Sequence, residues 1–253
     1  MNTRASIKLV SINIERDLHL DRVVPFVIAE KPDVLCLQEV REPDVQIFAK
    51  LFSDTYVFAP AIKHRSDGFK AVIGQAVFSK LPIATQNIHY YVGDPAVIPR
   101  EELPDTCGNH AVVVVEVGEE EAFRIAATHF VWSERGQATD LQRISMRKLL
   151  EILQPFGELV LCGDFNAPRG GEIFSMLLET YHDNVPPQYA TSLDLDLHRA
   201  GKDRPHELAD KMVDGMFSTP GYRVSHVRMV PGVSDHCALV ATVQKRGELK
   251  LVY

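Results

Sequence analysis

The chain has 253 residues, of which 45% are hydrophobic and 24% charged, and its formal net charge is −7 at pH 7. This composition is that of a globular protein, and no apolar run approaches the roughly 20 residues that cross a membrane. The acidic balance disfavours strong non-specific binding to a nucleic-acid backbone, although it leaves room for a local basic groove. The first residues lack the apolar core of a signal peptide, and the four cysteines lack the paired spacing of a zinc site or disulfide framework, so we expect a cytoplasmic location.

Hydrophobic patterns in the first half of the chain predict mostly strands. Helices are expected over 18–30 and 43–52, and a surface loop over 93–108, which holds three prolines. The strands are expected over Ile7–Asn13, 34–39, 56–58, 71–78, Ile83–Val92, His110–Val117 and 123–128, the last two forming a hairpin around an acidic turn at 118–121.

The second half of the chain begins with a predicted helix over 139–153. Its apolar residues have helical spacing, and they are Leu141, Ile144, Met146, Leu149, Leu150 and Leu153. A strand ending at Asp164 and a helix over 172–180 follow. The polar segment 184–211 is expected to be a long loop, and loops of this length in compact domains are often functional. Strands over 212–217, 223–229 and 237–244 close the chain.

The order of these elements indicates the fold class. Many strands with few intervening helices favour packed sheets flanked by helices over a single doubly wound parallel sheet. No internal repeat, low-complexity tract or interdomain linker interrupts the sequence. We therefore predict one α/β domain over residues 1–253.

The most informative stretch is 159–166, where an apolar strand stops at Gly163. Asp164 and Asn166 lie two positions apart, so in an extended chain their side chains point the same way. A carboxylate beside a carboxamide suits a site that activates water and holds a developing oxyanion. The same residues also fit an ordinary strand end closed by Asx turns, so this stretch alone leaves both interpretations open.

Polar residues also end three other apolar strands, at Asn13, Glu39 and His129, while Asp235 and His236 precede the last strand. The end of one strand and the start of an antiparallel neighbour lie at the same edge of a sheet, so we hypothesise that these groups meet there. Carboxylates without a cysteine cluster are hard ligands suited to Mg²⁺ or Mn²⁺. A hard cation beside histidines fits hydrolysis of a phosphoester by water, and no nucleophile motif or phosphate-binding glycine loop offers another route.

At these positions the sequence resembles the endonuclease/exonuclease/phosphatase family, whose members are similar to deoxyribonuclease I. The resemblance covers nearly the whole chain and depends on the order and spacing of short motifs. These are Ser11-Ile12-Asn13, Gln38-Glu39, the segment 76–83 (AVFSKLPI), Thr128-His129, Gly163-Asp164-Phe165-Asn166, Val213-Asp214 and Ser234-Asp235-His236. The family likeness implies a four-layer α/β/β/α sandwich of two mainly antiparallel mixed sheets flanked by helices, with the site at one edge.

The resemblance also implies a metal site. Glu39 would bind Mg²⁺ or Mn²⁺, with Asn13 and Asp235 as further residues of the metal site. One metal ion or two remain equally open at this stage.

The same resemblance implies roles for five catalytic residues. Asp164 would orient or deprotonate water, and Asn166 would hold the phosphate and the transition state. His236 would contact the scissile phosphate in acid/base chemistry, while Asp214 fixes its tautomer and favours its charged form. His129 would donate to a phosphate oxygen. The residue that removes the proton from water stays open.

Other functions compete with a general phosphoesterase. A nuclease on DNA or RNA would make nucleic acid the partner, although the chain lacks a lysine-rich arm. A lipid phosphodiesterase would need an exposed apolar hairpin, for which only Tyr90-Tyr91-Val92 is a candidate. A catalytically inactive interaction module would be expected to have lost a carboxylate or histidine, and none is missing. The natural ester and the oligomeric state are not fixed by the sequence.

Several basic, imidazole and aromatic residues lie in loops near these motifs. A basic cluster at 63–70 fits either a solvated loop or a site for a phosphate chain. The other residues could contact substrate or serve packing. The residues concerned are Lys63, His64, Arg65, Lys70, Arg100, Trp132, His198 and His206.

Overall fold

The computed structural model describes residues 6–65, 68, 70–102, 107–119 and 122–246. Within these residues the strands are β1 (Ile7–Asn13), β2 (Val34–Arg41), β3 (Tyr56–Lys63), β4 (Val72–Ser79), β5 (Ile83–Val92), β6 (His110–Val117), β7 (Phe123–His129), β8 (Val160–Asp164), β9 (His182–Asp183), β10 (Asp214–Ser218), β11 (Tyr222–Val230) and β12 (Ala238–Lys245). The α-helices of the same residues are α1 (Leu20–Glu30), α2 (Val45–Ala49), α3 (Asp140–Leu153), α4 (Glu172–Leu178) and α5 (Pro205–Leu208).

The strands form two six-stranded sheets. Sheet A has the order β11-β12-β1-β2-β4-β3, and sheet B has the order β5-β6-β7-β8-β10-β9. Each sheet contains one parallel pair, β1 with β2 and β7 with β8, among antiparallel neighbours. The predicted fold class, two mainly antiparallel mixed sheets flanked by helices, is confirmed.

Apolar side chains fill three interfaces between the layers. Residues such as Cys36 and Cys162 pack where the two sheets meet. Val27 of α1 and Phe48 of α2 belong to the cluster on the outer face of sheet A, and Leu149 of α3 belongs to the corresponding cluster on sheet B. Strands that are buried on both faces read as continuous apolar runs, which explains the four consecutive valines at 112–115.

Most predicted elements are present, and the differences have local causes. The predicted strand 56–58 extends to Lys63, and the predicted helix 43–52 is divided into two 3₁₀ turns around the short α2. The predicted strands 71–78 and 83–92 lie in different sheets, so the segment between them crosses the sandwich. On α3, Leu141 and Ile144 are exposed, because Gln142 turns inward and its Nε2 donates to the Val131 carbonyl at 2.7 Å.

In the described residues, no helix is both long and apolar enough to span a membrane. Some predicted features fall on other residues. Residues 103–106 of the predicted loop, residues 120 and 121 of the predicted turn, and residues 1–5 and 247–253 of the predicted domain lie outside the described part of the chain. A single domain over the full chain stays a prediction.

Candidate active site at the sheet edge

The parallel pair of sheet B brings two predicted site residues together. His129 and Asp164 are register partners at the carboxyl ends of β7 and β8. Asp214 opens the antiparallel β10 directly opposite Asp164. Gly163 permits the close approach of these strands, because a Cβ there would overlap the Thr128 carbonyl oxygen. Topology therefore places three site residues at one edge of sheet B.

Sheet A contributes the second set of residues at the same edge of the sandwich. Asn13 ends β1 beside Gln38 of the parallel β2, and Glu39 comes next. His236 precedes β12, which runs antiparallel to β1. Because β1 ends where β12 begins, His236 lies close to Asn13 in the fold although the two are far apart in sequence.

The Asn13 side chain joins the two sheets at this edge. Its Nδ2 donates to Glu39 Oε1 at 3.2 Å and to Asp164 Oδ2 at 3.1 Å. Its Oδ1 accepts from the Glu15 main-chain N–H at 3.1 Å. The two bonds from the Asn13 amide fix the positions of two carboxylates, and its Oδ1 keeps a second lone pair besides the bond from Glu15. The expected place of Asn13 in the metal site stays a prediction.

Asp164 lies at the centre of the site, and its side chain is only 1% exposed. Its Oδ1 accepts from the Asn166 N–H at 2.8 Å, and its Oδ2 lies 3.7 Å from His129 Nε2 and 3.8 Å from His236 Nε2. Asn166 has a φ of 49°, and its Nδ2 donates to the Phe130 carbonyl at 2.9 Å. The bond from the Asn166 N–H to Asp164 Oδ1 closes an Asx turn. The two interpretations of this stretch, a turn and a polar site, are therefore compatible.

His236 and Asp214 form a buried pair, with His236 Nδ1 2.7 Å from Asp214 Oδ2. Burial lowers the pKa of His236, but the Asp214 and Asp164 carboxylates outweigh it and hold this pKa well above its usual value. Burial raises the pKa of Asp214, and the charge of His236 opposes that rise. The pair therefore retains its proton at neutral pH, and Nε2 of His236 faces Asp164.

Glu39 occupies a strained position on β2. Its φ of 57° is in the left-handed region, at the irregularity in the pairing of β2 with β4 between Leu37 and Val40. A bulge of this kind re-aims a side chain at a sheet end. The Glu39 carboxylate is thereby directed towards Asn13 and towards His129, whose Nε2 is 3.9 Å away.

A group of two carboxylates and one imidazole beside Glu39 fits a divalent cation. Glu15, His19 and Asp235 each offer a ligand atom, and these atoms lie within 4.8 Å of one another. Burial raises the pKa of Asp235 to about 7; the charge of His236 opposes this rise, and the carboxylates of Glu15 and Glu39 add to it. Converging carboxylates that repel one another are the hard donor set of Mg²⁺ or Mn²⁺, and a bound cation would offset their repulsion.

The long segment 184–211 supports the buried pair. Asp194 N donates to the Asp235 carbonyl at 2.8 Å, and Cys237 N donates to the Ser192 carbonyl at 2.7 Å. The Ser192 Oγ accepts from Asp214 N at 3.0 Å. This segment, predicted as a loop of functional importance, therefore fixes the main chain on both sides of the pair.

Sequence reasoning missed Glu15 and His19, which border the site, whereas it named His198, Trp132 and His206 as loop residues without assigning them a role. The Glu15 Oε2 lies 3.1 Å from His19 Nε2, and the i,i+4 spacing of the two residues was the signal available. Burial and the charge of nearby His236 lower the pKa of His198. Trp132, on the segment after β7, is 62% exposed, and His206 lies exposed on α5.

Comparison with known proteins identifies the family. A sequence model of the endonuclease/exonuclease/phosphatase family matches residues 10–236. The chain therefore belongs to the endonuclease/exonuclease/phosphatase family. Comparison with individual curated proteins gives no match.

Solved structures share this fold at low sequence identity. An endonuclease/exonuclease/phosphatase from Beutenbergia cavernae DSM 12333 has 18% identity and a TM-score of 0.74, over 96% of this chain and 72% of that one. The human Nocturnin catalytic domain with bound sulfate has 17% identity and a TM-score of 0.68, over 97% of each chain. A mannosyl-6-phosphatase from Bacteroides thetaiotaomicron VPI-5482 has 12% identity and a TM-score of 0.66, over 94% of this chain and 99% of that one. Likeness at these identities concerns the fold.

Proposed function

We propose that this protein is a divalent-metal-dependent phosphoesterase that hydrolyses a phosphate ester by attack of water. One observation carries the proposal. The Asp164 Oδ2 lies within 3.1 Å of Asn13 Nδ2, 3.7 Å of His129 Nε2 and 3.8 Å of His236 Nε2, beside the acidic group of Glu39 and Asp235. A carboxylate surrounded by imidazole and amide donors is what water activation and phosphate binding require together.

Glu39 and Asp235 would hold the cation, and Glu15 stands next to them. A bound Mg²⁺ or Mn²⁺ supplies neutralisation of the phosphate charge and of the leaving oxygen. Asn13 would act on this set by fixing Glu39 and Asp164 in position, because its amide bonds to both carboxylates.

The remaining residues would handle protons and the phosphate oxygens. Asp164 would orient the attacking water and accept its proton. The turn that brings Asn166 beside Asp164 leaves its side-chain oxygen and second amide hydrogen for substrate. His129 Nε2 would donate to a phosphate oxygen. His236, protonated at neutral pH and oriented by Asp214, would donate a proton to the leaving oxygen.

Two neighbours support phosphate chemistry on this scaffold. The Nocturnin structure holds a sulfate, which is an analogue of phosphate in charge and shape, and the Bacteroides protein is a phosphatase. A nuclease is the second candidate, favoured by Trp132, whose exposed ring on the segment after His129 could stack a base.

A substrate panel tests the proposal. Plasmid DNA, RNA, abasic DNA, phosphoinositides, sphingomyelin and bis(p-nitrophenyl) phosphate are each incubated with Mg²⁺, Mn²⁺ or chelator. We expect at least one ester to be cleaved only with metal, and Glu39→Gln and His236→Gln to lower that rate by two or more orders of magnitude. Glu179→Gln and His89→Gln, which change exposed residues away from the site, are the matched controls. Full turnover in the Glu39 or His236 variant refutes its role, and no cleavage of any ester supports the inactive interaction module.

A further inference from the structure

The segment after β1 holds two consecutive strained residues. Glu15 has a φ of 46° and Arg16 a φ of 67°, and the left-handed region is unfavourable for residues other than glycine. Such strain persists where surrounding bonds hold it, and it concentrates at functional sites. The holding bonds are Glu15 N to Asn13 Oδ1 and Arg16 N to the Glu39 carbonyl, each 3.1 Å. The strained pair is therefore tied to two residues of the candidate site.

The Arg16 guanidinium retains donor capacity. Its side chain is 17% exposed, and its contacts within the described residues are Glu15 Oε1 at 3.6 Å and His64 Nε2 at 3.5 Å. Both distances exceed the 2.7–3.2 Å of a good N–H···O bond. A guanidinium offers five N–H donors in a planar fork that matches a phosphate, so this group has room for a bidentate anion.

Residues 63–65, which face Arg16, contact the carboxylate of Glu101. His64 Nε2 lies 3.0 Å from Glu101 Oε2, and the same oxygen accepts from Arg65 N at 3.2 Å. Two main-chain bonds preform the segment, since Lys63 N donates to the Pro99 carbonyl and Glu101 N to the Lys63 carbonyl. A carboxylate thus lies beside the imidazole that Arg16 contacts.

We infer that Arg16 and His64 form an anion subsite for a second phosphate of the substrate, next to the scissile ester, with Glu101 as an internal competitor. The inference rests on the proposed function and narrows its substrate class to esters that carry a second phosphate close to the one cleaved. The net charge of −7 repels polyanions in general, so local cations must recognise such a substrate. A nucleotide with a neighbouring phosphate and a phosphorylated cyclic alcohol share this chemistry.

A matched pair of chromogenic esters tests the subsite. Thymidine 5′-(4-nitrophenyl phosphate) is compared with the same compound carrying a 3′-phosphate, in Mg²⁺ and in Mn²⁺. We expect wild type to show a kcat/KM roughly 10–100-fold higher for the doubly phosphorylated ester, the size of one charge-assisted bidentate contact. A second pair, inositol 4,5-bisphosphate and inositol 4-phosphate, identifies the source of the second phosphate by showing which pair carries the preference.

Variants assign the preference to the subsite. Arg16→Asn suits the left-handed backbone and is expected to abolish the preference while changing kcat/KM for the singly phosphorylated ester less than threefold. His64→Gln is expected to reduce the preference, and Glu101→Gln to increase it, because the competitor loses its charge. Arg143→Gln, on α3 and paired with Glu172, is the charge-matched control and should leave the preference unchanged.

A binding measurement separates the subsite from the proposed reaction. In chelator, calorimetry is expected to show that wild type binds thymidine 3′,5′-bisphosphate about tenfold tighter than thymidine 5′-monophosphate, and that Arg16→Asn binds the two equally. This binding result without hydrolysis of any ester would leave the subsite standing and remove the proposed hydrolase. Hydrolysis with no preference in either substrate pair, or a preference that Arg16→Asn retains, overturns the subsite and leaves the hydrolase.

Discussion

Replacing Asp214 by asparagine removes one charge from the buried pair while preserving its shape. In wild type, His236 Nδ1 donates to Asp214 Oδ2 at 2.7 Å, and the Ser192 Oγ accepts from the Asp214 main-chain N–H. The asparagine amide oxygen can still accept from Nδ1, so the change isolates the charge. We expect the variant to fold and to have a lower pKa at His236, because Asp214 is the main group that raises it.

The size of the effect follows from the kind of bond that is lost. A hydrogen bond to a charged group contributes about 1.5–3 kcal/mol, against about 0.5–1.5 kcal/mol for a neutral one. If that difference, about 1–1.5 kcal/mol, stabilises protonated His236 in the transition state, kcat falls roughly 5–13-fold at about 1.36 kcal/mol per tenfold. Asp214→Ala also leaves Nδ1 buried without its acceptor, so its kcat should fall further, by roughly a hundredfold or more.

The assay is metal-dependent cleavage of the best ester of the panel, followed from pH 5 to 9. The alkaline limb, where the acid loses its proton, should move to lower pH in Asp214→Asn. Asp183→Asn is the matched control, because Asp183 pairs with Arg169 at 2.8 Å and lies on β9 at the sheet's outer edge. A wild-type kcat and pH profile in folded Asp214→Asn would refute the assignment of His236 as a charged acid.

Three further changes probe the metal site and the scaffold. Adding Mg²⁺ or Mn²⁺ should raise the wild-type melting temperature, since a ligand that binds the folded state stabilises that state. Glu39→Gln should abolish this rise in scanning fluorimetry. An equal rise in both proteins contradicts metal binding by Glu39. Gly163→Ala should lose more than about 3 kcal/mol of unfolding free energy in urea, because its Cβ would overlap a main-chain carbonyl. Gly157→Ala should lose less, because its Cβ would enter open space and only its backbone conformation would be strained. Equal losses in the two variants would contradict the overlap. Burial, aided by the charge of His129, lowers the pKa of His110 to about 4. Below about pH 6.5 the unfolded state therefore binds more protons than the folded state, and the free energy of unfolding falls towards pH 4. His110→Asn should flatten this pH dependence in urea titrations, and an unchanged slope rules out His110 as its source.

The strand ends were predictable because their signal is local. Asn13, Glu39, His129 and Asp164 each follow an apolar run, and periodicity predicts both the strand and the point where it stops. Parallel pairing then brings those ends to one edge without any further sequence signal. Asp214 and His236 reach the same edge through the antiparallel strands β10 and β12, which apolar runs in the sequence also predicted.

The neighbours of the site were not predictable in the same way. Glu15 and Arg16 adopt left-handed φ values that sequence patterns assign to glycine or asparagine, so nothing indicated that the chain turns towards Glu39 there. The crossing between β4 and β5 is set by the packing of two sheets, and the segment itself is consistent with a hairpin. The spacing of Leu141 and Ile144 predicted the helix but not which of its faces is buried. Both side chains are exposed, because α3 buries Gln142 instead.

Both sheets contribute side chains to the candidate site. Asn13 and His236 belong to one and Asp164 and Asp214 to the other, so the bonds between them bridge a seam. A displacement of one sheet relative to the other would change these two distances directly, because each bond has one partner on each sheet. Under the proposed function, side-chain volume at the inter-sheet cysteines, three residues before Glu39 and two before Asp164, would affect hydrolysis as well as folding.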